Sequence, residues 1–153
     1  MLPMLMPFYQ QMTTKPLSDS NHMKFIFKYY GPAILWALFI LIICAIPLGK
    51  AGNSPLFFPG FDKVVHCCLF VVLAVLYSAG SMRKWATRNL SLWVAVKCTI
   101  IMISFGALIE TLQMYVFTWR SGDTSDLLAD TIGACVGILS VLITANAVNH
   151  EKN

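Results

Sequence analysis

The sequence predicts an all-α integral membrane protein, a bundle of four transmembrane helices. Of its 153 residues, 58% are hydrophobic and only 12% are charged, which leaves too few charges to cover the surface of a water-soluble domain. The mean hydropathy of +0.70 agrees with this. Four crossings of about 20 residues each take roughly 80 residues, and the remainder is too short for a soluble catalytic domain.

Four apolar stretches each have the length needed to cross about 30 Å of hydrocarbon. They are residues 31–48, 62–80, 92–117 and 126–148. A β-barrel is a poor alternative, because these runs are about twice the length of barrel strands and isolated strands would leave backbone groups unpaired in lipid.

The first stretch contains no ionisable residue between Pro32 and Pro47, and we expect it to act as an uncleaved signal anchor. Residues 1–23 are predicted to form a disordered cytoplasmic tail, and residues 24–153 the transmembrane domain. Because Met23 is followed by Lys24 and this first span, Met23 is an alternative start.

The second and fourth stretches open with acidic residues, and the third is the longest. The fourth contains Gly133 and Gly137 in a small-xxx-small pattern, which permits close approach of helices. Gly106 and Ala107 offer a similar surface in the third. Such packing would bring the acids of the fourth stretch near the second or the third.

Basic residues in the short segments predict the orientation of the bundle. Seven of them fall on the side of the two termini and three on the opposite side. The seven are Lys15, Lys24, Lys28, Arg83, Lys84, Arg88 and Lys152, and the three are Lys50, Lys63 and Arg120. Both termini are therefore predicted to be cytoplasmic. The formal charge of +4 then indicates contact with anionic membrane lipids rather than with nucleic acid.

Eight polar residues in or beside the spans are candidates for ligand binding at the outer side of the bundle. They are Asp62, His66, Glu110, Gln113, Arg120, Asp123, Asp126 and Asp130. Asp62 and His66 are four residues apart, as are Asp126 and Asp130, so each pair shares a helical face. A carboxylate facing lipid would be costly, so Glu110 should point into the bundle.

Each of these residues also has a structural explanation. Acids at helix starts, such as Asp123 and Asp126, cap free backbone amides. Lys63 is expected to extend to the interface along its own aliphatic stem. Arg120 and Glu110 can form a structural ion pair. The combination favours a functional site more than any member does, because three acids in the first turns of one helix exceed what capping needs.

Together these residues resemble the VanZ-like family of small bacterial integral membrane proteins, over about residues 30–145. The matching pieces are Asp62-Lys63-x-x-His66-x-x-x-Phe70, Glu110-x-x-Gln113, Arg120 with Asp126 six residues later, and Asp126-x-x-x-Asp130-x-x-Gly133-x-x-x-Gly137. Asp130 departs from the pattern, because members commonly carry Asn there. A carboxylate at this position would have to be protonated, paired or metal-bound.

The resemblance implies a multi-span helical protein of the bacterial cytoplasmic membrane and no particular reaction. The family takes its name from a protein linked to low-level resistance to glycopeptide antibiotics such as teicoplanin. The residues whose importance carries over are Asp62, His66, Glu110, Gln113, Arg120 and Asp126.

The first functional hypothesis is a non-enzymatic envelope protein whose outward polar pocket binds a lipid-linked cell-wall intermediate or a cation. Lys63 and Arg120 would contact anionic oxygens, and the acids would hold amines or a divalent ion. Five acids face two permanent cations in this set, which predicts a divalent cofactor. Hard oxygen ligands favour Mg²⁺ or Ca²⁺ over Zn²⁺.

Two alternatives stay open. In a membrane-embedded, metal-assisted hydrolase or transferase acting on a lipid-linked substrate, His66 or Glu110 would be the general base, and Arg120 would stabilise developing negative charge. In a transporter, four spans would require a homo-oligomer to enclose a path, and the polar residues would be expected nearer the middle of the membrane.

Overall fold

The computed structural model describes residues 19–46, 58, 60–117 and 123–150, and nearly all of them are helical. The four helices are α1 (Asp19–Ala45), α2 (Phe61–Trp85), α3 (Leu92–Tyr115) and α4 (Thr124–His150). Each is long and apolar enough to cross a membrane, and no strand occurs in the described ranges. The prediction of an all-α bundle of four transmembrane helices is therefore confirmed.

Three helices extend beyond the predicted apolar stretches. The first begins at Asp19 rather than near residue 31, the second ends at Trp85 and the fourth continues to His150. An apolar pattern marks only the part of a helix within hydrocarbon, whereas the hydrogen-bonded backbone continues into the polar interface. The predicted disordered tail, residues 1–23, overlaps the start of α1, and residues 1–18 lie outside the described ranges.

The helices pack through glycines, and α4 packs most extensively against α2. A Cβ atom at Gly133 would overlap the backbone carbonyl of Cys67, and one at Gly137 would lie 2.6 Å from the carbonyl oxygen of Val71. These contacts are tighter than any side chain permits, so the small-xxx-small pattern brings the two backbones together. Gly80 similarly admits the carbonyl of Tyr29 from α1.

The bundle has two chemically different ends. We call the end where α1 and α3 finish and α2 and α4 begin the polar end, and the opposite one the basic end. At the basic end, the Arg83 guanidinium donates a hydrogen bond to the carbonyl of Tyr29, 3.0 Å away. The Lys84 ammonium lies 5.5 Å from the ring centroid of Phe25. The fold therefore separates the acidic residues of α2, α3 and α4 from most of the described basic ones.

Candidate functional site

Two groups of side chains at the polar end are distinguished by their depth. The rim cluster consists of Asp62, Lys63, Asp123 and Asp126, and most of its side chains reach solvent. The buried triad consists of His66, Glu110 and Asp130, which are 2%, 8% and 0% exposed. Helices α2 and α4, with the residue before α4, supply the rim cluster, and α2, α3 and α4 each give one residue to the buried triad.

Lys63 is the centre of the rim cluster. Its ammonium donates hydrogen bonds to Asp123 Oδ2 at 3.0 Å and to Asp126 Oδ1 at 3.1 Å, and it lies 3.7 Å from Asp62 Oδ2. The Asp126 side chain is only 4% exposed, so the lysine compensates a carboxylate that has lost most of its water. The sequence pattern indicated an interfacial lysine that could contact anionic oxygens, and Lys63 was not among the eight candidate residues. The excess of acidic residues at the same membrane depth could have indicated that this lysine pairs with them.

Asp123 connects the rim cluster to the buried triad. Its Oδ1 accepts a hydrogen bond from the backbone N–H of Ser125 at 2.9 Å, in the first turn of α4. Its own N–H donates to Glu110 Oε2 at 2.8 Å. Hydrogen bonds from Ser125, and then from the Lys63 ammonium, hold the pKa of Asp123 well below its usual range. The capping explanation therefore holds for Asp123, and the same residue also orients Glu110.

One hydrogen bond joins two members of the buried triad across the α2–α4 interface. His66 Nδ1 lies 3.0 Å from Asp130 Oδ1, so Asp130 is paired, which is one of the three states expected for a carboxylate at this position. One ligand atom from each of His66, Glu110 and Asp130 falls within 4.8 Å of the other two. The imidazole and the two carboxyl groups thus face a common point.

Two carboxyl oxygens of the buried triad have no hydrogen-bond partner among the described residues. They are Glu110 Oε1 and Asp130 Oδ2. Leaving a buried polar atom unpaired costs about 1 to 3 kcal/mol, and more for a charged group. Gly106 makes room for one of them, because a Cβ atom there would lie 2.9 Å from Asp130 Oδ2. The sequence pattern around Gly106 predicted helix packing alone, and it contained no signal for a second role beside a carboxyl group.

Gln113 contacts a different part of the bundle. It is fully buried, and its amide Nε2 donates to the backbone carbonyl of Cys44 at 3.4 Å. Helix α1 ends at Ala45, so this carbonyl belongs to the last turn, whose oxygens have no intrahelical donor. Gln113 therefore ties α1 to α3 beside the site. The Cys44 side chain, 1% exposed, also interacts with His66, and sequence reasoning did not identify that contact.

The structure therefore groups six of the eight predicted site residues. Those that it brings into contact at the polar end are Asp62, His66, Glu110, Asp123, Asp126 and Asp130. Gln113 bonds to α1 instead. Arg120, and with it the predicted pair with Glu110, lies outside the described residues. The resulting arrangement can hold a cation, bind an ammonium group or move a proton at His66.

Comparison with known proteins identifies the family. A family model described as VanZ/LLP1 matches residues 1–145, nearly the whole chain. No curated protein and no solved structure matches. The four membrane-spanning helices and this match agree with the resemblance seen in the sequence, and the chain belongs to the VanZ/LLP1 family of multi-pass membrane proteins.

Proposed function

We propose that this chain is a non-enzymatic protein of the bacterial cytoplasmic membrane whose polar end faces outward and binds a charged envelope ligand. The observation that carries the proposal is the convergence of five carboxyl groups from three helices and one loop residue. Three of them surround Lys63, and those of Glu110 and Asp130 lie near His66. Scattered surface polarity does not bring acids that are distant along the chain to one membrane depth.

The distribution of basic residues supports the orientation. Lys24, Lys28, Arg83, Lys84 and Arg88 all lie at the basic end or in its α2–α3 connection. Lys and Arg are retained on the cytoplasmic side of membrane proteins, so both termini would be cytoplasmic and the polar end external. These same residues would contact anionic lipids of the inner leaflet.

The charge balance supports a ligand that carries a cationic group. The single described ammonium of the polar end, on Lys63, is already paired with Asp123 and Asp126. Asp62 and Asp123 keep side chains that are 45% and 48% exposed, so their oxygens are accessible from outside. A lipid-linked cell-wall intermediate with a free amine on its peptide would meet these carboxylates. The glycopeptide resistance associated with the family name also favours an envelope ligand.

Binding to the purified protein in nanodiscs tests this proposal. The ligand is a lipid-linked peptidoglycan intermediate with a free peptide amine, compared with the same molecule after acetylation of that amine. We expect acetylation, or the double substitution D62N/D123N, to weaken binding at least about tenfold, the loss of one charged contact. The control is K97Q, which replaces an exposed lysine of α3. Equal binding of both ligand forms would overturn the proposal.

Antibiotic sensitivity provides the corresponding cellular measurement. Expression of the wild type in a host sensitive to teicoplanin should raise the minimum inhibitory concentration, and D62N/D123N at equal membrane abundance should not. If both proteins raised the minimum inhibitory concentration equally, the resistance would not depend on the carboxylates of the polar end.

A membrane-embedded hydrolase or transferase is the second candidate, because one observation favours it. The His66 imidazole bonds to Asp130 and also interacts with the Cys44 thiol, and a histidine that contacts both a carboxylate and a thiol is used in nucleophilic catalysis. Turnover of an undecaprenyl-type phosphate by the wild type, lost in both C44A and H66Q, would establish this function. Metal-assisted turnover would be lost in H66Q and retained in C44A.

A further inference from the structure

We infer that His66, Glu110 and Asp130 form a buried site for one divalent first-row metal ion, with Zn²⁺ as the best fit. This inference rests on the proposed function, because the buried triad is the inner part of the same polar end, and it names the ion held there. The ion would lie beneath the rim cluster, between α2, α3 and α4.

The distances suit three ligands of one small ion. Zinc binds imidazole nitrogen and carboxylate oxygen at about 2.0 to 2.2 Å in a tetrahedral arrangement, which separates neighbouring ligand atoms by about 3.3 Å. One ligand atom from each of His66, Glu110 and Asp130 lies within 4.8 Å of the other two. His66 Nδ1 and Asp130 Oδ1 are 3.0 Å apart and share a hydrogen bond, whose proton would be released when the ion binds. Small side-chain rotations would therefore complete the set and leave a fourth position open.

Burial is the second, independent observation. Asp130 is 0% exposed and Glu110 is 8% exposed, yet Asp130 Oδ2 and Glu110 Oε1 have no partner in the described part of the chain. Two buried carboxyl groups beside one imidazole are expensive when ionised, unless a positive charge compensates them. A divalent ion would supply that charge and engage the unpartnered oxygens.

Neighbouring contacts hold the ligands in place. The N–H of Asp123 binds Glu110 Oε2 at 2.8 Å and leaves Oε1 available. Gly106 leaves space for the Asp130 carboxyl group. Hydrogen bonds of this kind, to the atom that does not bind the metal, orient carboxylate and imidazole ligands in known metal sites.

The ligand types favour Zn²⁺ over the Mg²⁺ or Ca²⁺ that the sequence predicted. Counting acids along the chain indicated an oxygen-only site. In the structure, however, Asp62, Asp123 and Asp126 pair with Lys63, and an imidazole joins the two remaining carboxyl groups. Imidazole is a good ligand for Zn²⁺ and other late first-row transition metals. Ca²⁺ instead requires six to eight oxygen ligands, and Mg²⁺ requires nearly ideal octahedral coordination by oxygen.

Metal analysis of matched variants tests the site. The full chain is purified through a tag without histidine, stripped with EDTA, loaded with Zn²⁺ and desalted, and its metal content is measured by mass spectrometry. We expect about one Zn²⁺ per chain in the wild type. In H66Q and E110Q the bound Zn²⁺ per chain should be at least about tenfold lower. H150Q removes an exposed histidine at the far end of α4 and should retain the ion.

Thermal denaturation of the stripped protein gives a second readout. Zn²⁺ should raise the midpoint of the wild type and of H150Q, with no shift in H66Q or E110Q and none from Mg²⁺ or Ca²⁺. A stabilisation by Mg²⁺ or Ca²⁺ alone would overturn the assignment, and so would Zn²⁺ retained by a folded H66Q. Circular dichroism and gel filtration establish that each variant is folded, and D130N, which preserves side-chain volume, replaces any variant that is not.

The two proposals fail separately. The amine-bearing ligand is also titrated in EDTA. If it binds there while the wild type holds no Zn²⁺, only the metal site is overturned. If Zn²⁺ binds to the buried triad while acetylation of the ligand has no effect, only the proposed function is overturned.

Discussion

The rim cluster and the buried triad contain the same kinds of groups, and they differ in how completely their charges are compensated. Lys63 reaches three carboxylates and its side chain is 37% exposed. Its charge is therefore stabilised both by water and by ion pairs. The buried triad has one imidazole for two carboxyl groups and leaves two oxygens unpartnered within the described residues.

This difference indicates which layer is compensated by the chain's own side chains and which one needs a further positive charge. A satisfied network on the surface adds little free energy and tolerates change. A buried, half-satisfied network is unfavourable in an otherwise apolar bundle and is expected where something else must bind. Substitutions in the scaffold that supports both layers, and then in each layer, distinguish these two situations.

Gly133→Val should have the largest effect, because it disrupts both layers together. A Cβ atom at Gly133 already overlaps the carbonyl of Cys67, so valine must push α4 away from α2. We expect the free energy of unfolding, measured by SDS titration in mixed micelles, to fall by at least about 3 kcal/mol. Cys135→Val makes a similar change on the exposed face of α4 and should be nearly neutral. Equal losses in both variants would contradict the packing argument.

His66→Ala should have the next largest effect, measured in the presence of EDTA. It removes the partner of Asp130, which is 0% exposed, and leaves a carboxyl group alone in the bundle. Breaking a buried pair costs about 3 kcal/mol or more, and lowering the pH should restore part of that loss by protonating Asp130. His150→Ala, at an exposed position, should change stability by less than about 0.5 kcal/mol.

Lys63→Met should have a smaller effect than His66→Ala. The exposed partners regain water, and the buried Asp126 carboxylate alone loses its compensation. We expect a loss of about 1 to 2 kcal/mol in the same titration, reduced at high salt. Lys97→Met removes an exposed lysine of α3 and is the matched control. If Lys63→Met proved more damaging than His66→Ala, the roles assigned to the two layers would be reversed.

The smallest effect is a pH dependence confined to the acid range. The pKa of Asp123 lies below its usual value of 3.8 in the folded chain, so the unfolded chain takes up the proton first. Its stabilising contribution is complete well above pH 3.8 and is lost as the pH falls towards the folded pKa. The difference in melting temperature between the wild type and D123N should therefore be constant from about pH 6 to 8. A difference that changed within that range would require another titrating group.

The helical bundle was predictable from the sequence, whereas the division of the polar end into two layers was not. Long apolar runs determine the number of spans directly, and the i, i+4 spacing of Asp126 and Asp130 correctly assigned them to one face. Partner choice depends on how helices rotate about their axes, which no spacing within one helix encodes. Lys63 therefore pairs with Asp126, and Gln113 bonds to the Cys44 carbonyl, without a local signal.

The contact between His66 and Asp130 has a consequence for biosynthesis. The two residues are separated by 64 positions, so α2 leaves the ribosome long before its partner in α4 is made. During that interval the imidazole lacks the carboxyl group that it bonds in the folded bundle. Release of a nascent chain that stops after α3 would expose His66 and Glu110 without Asp130, and quality-control proteases of the membrane would be expected to recognise such a chain.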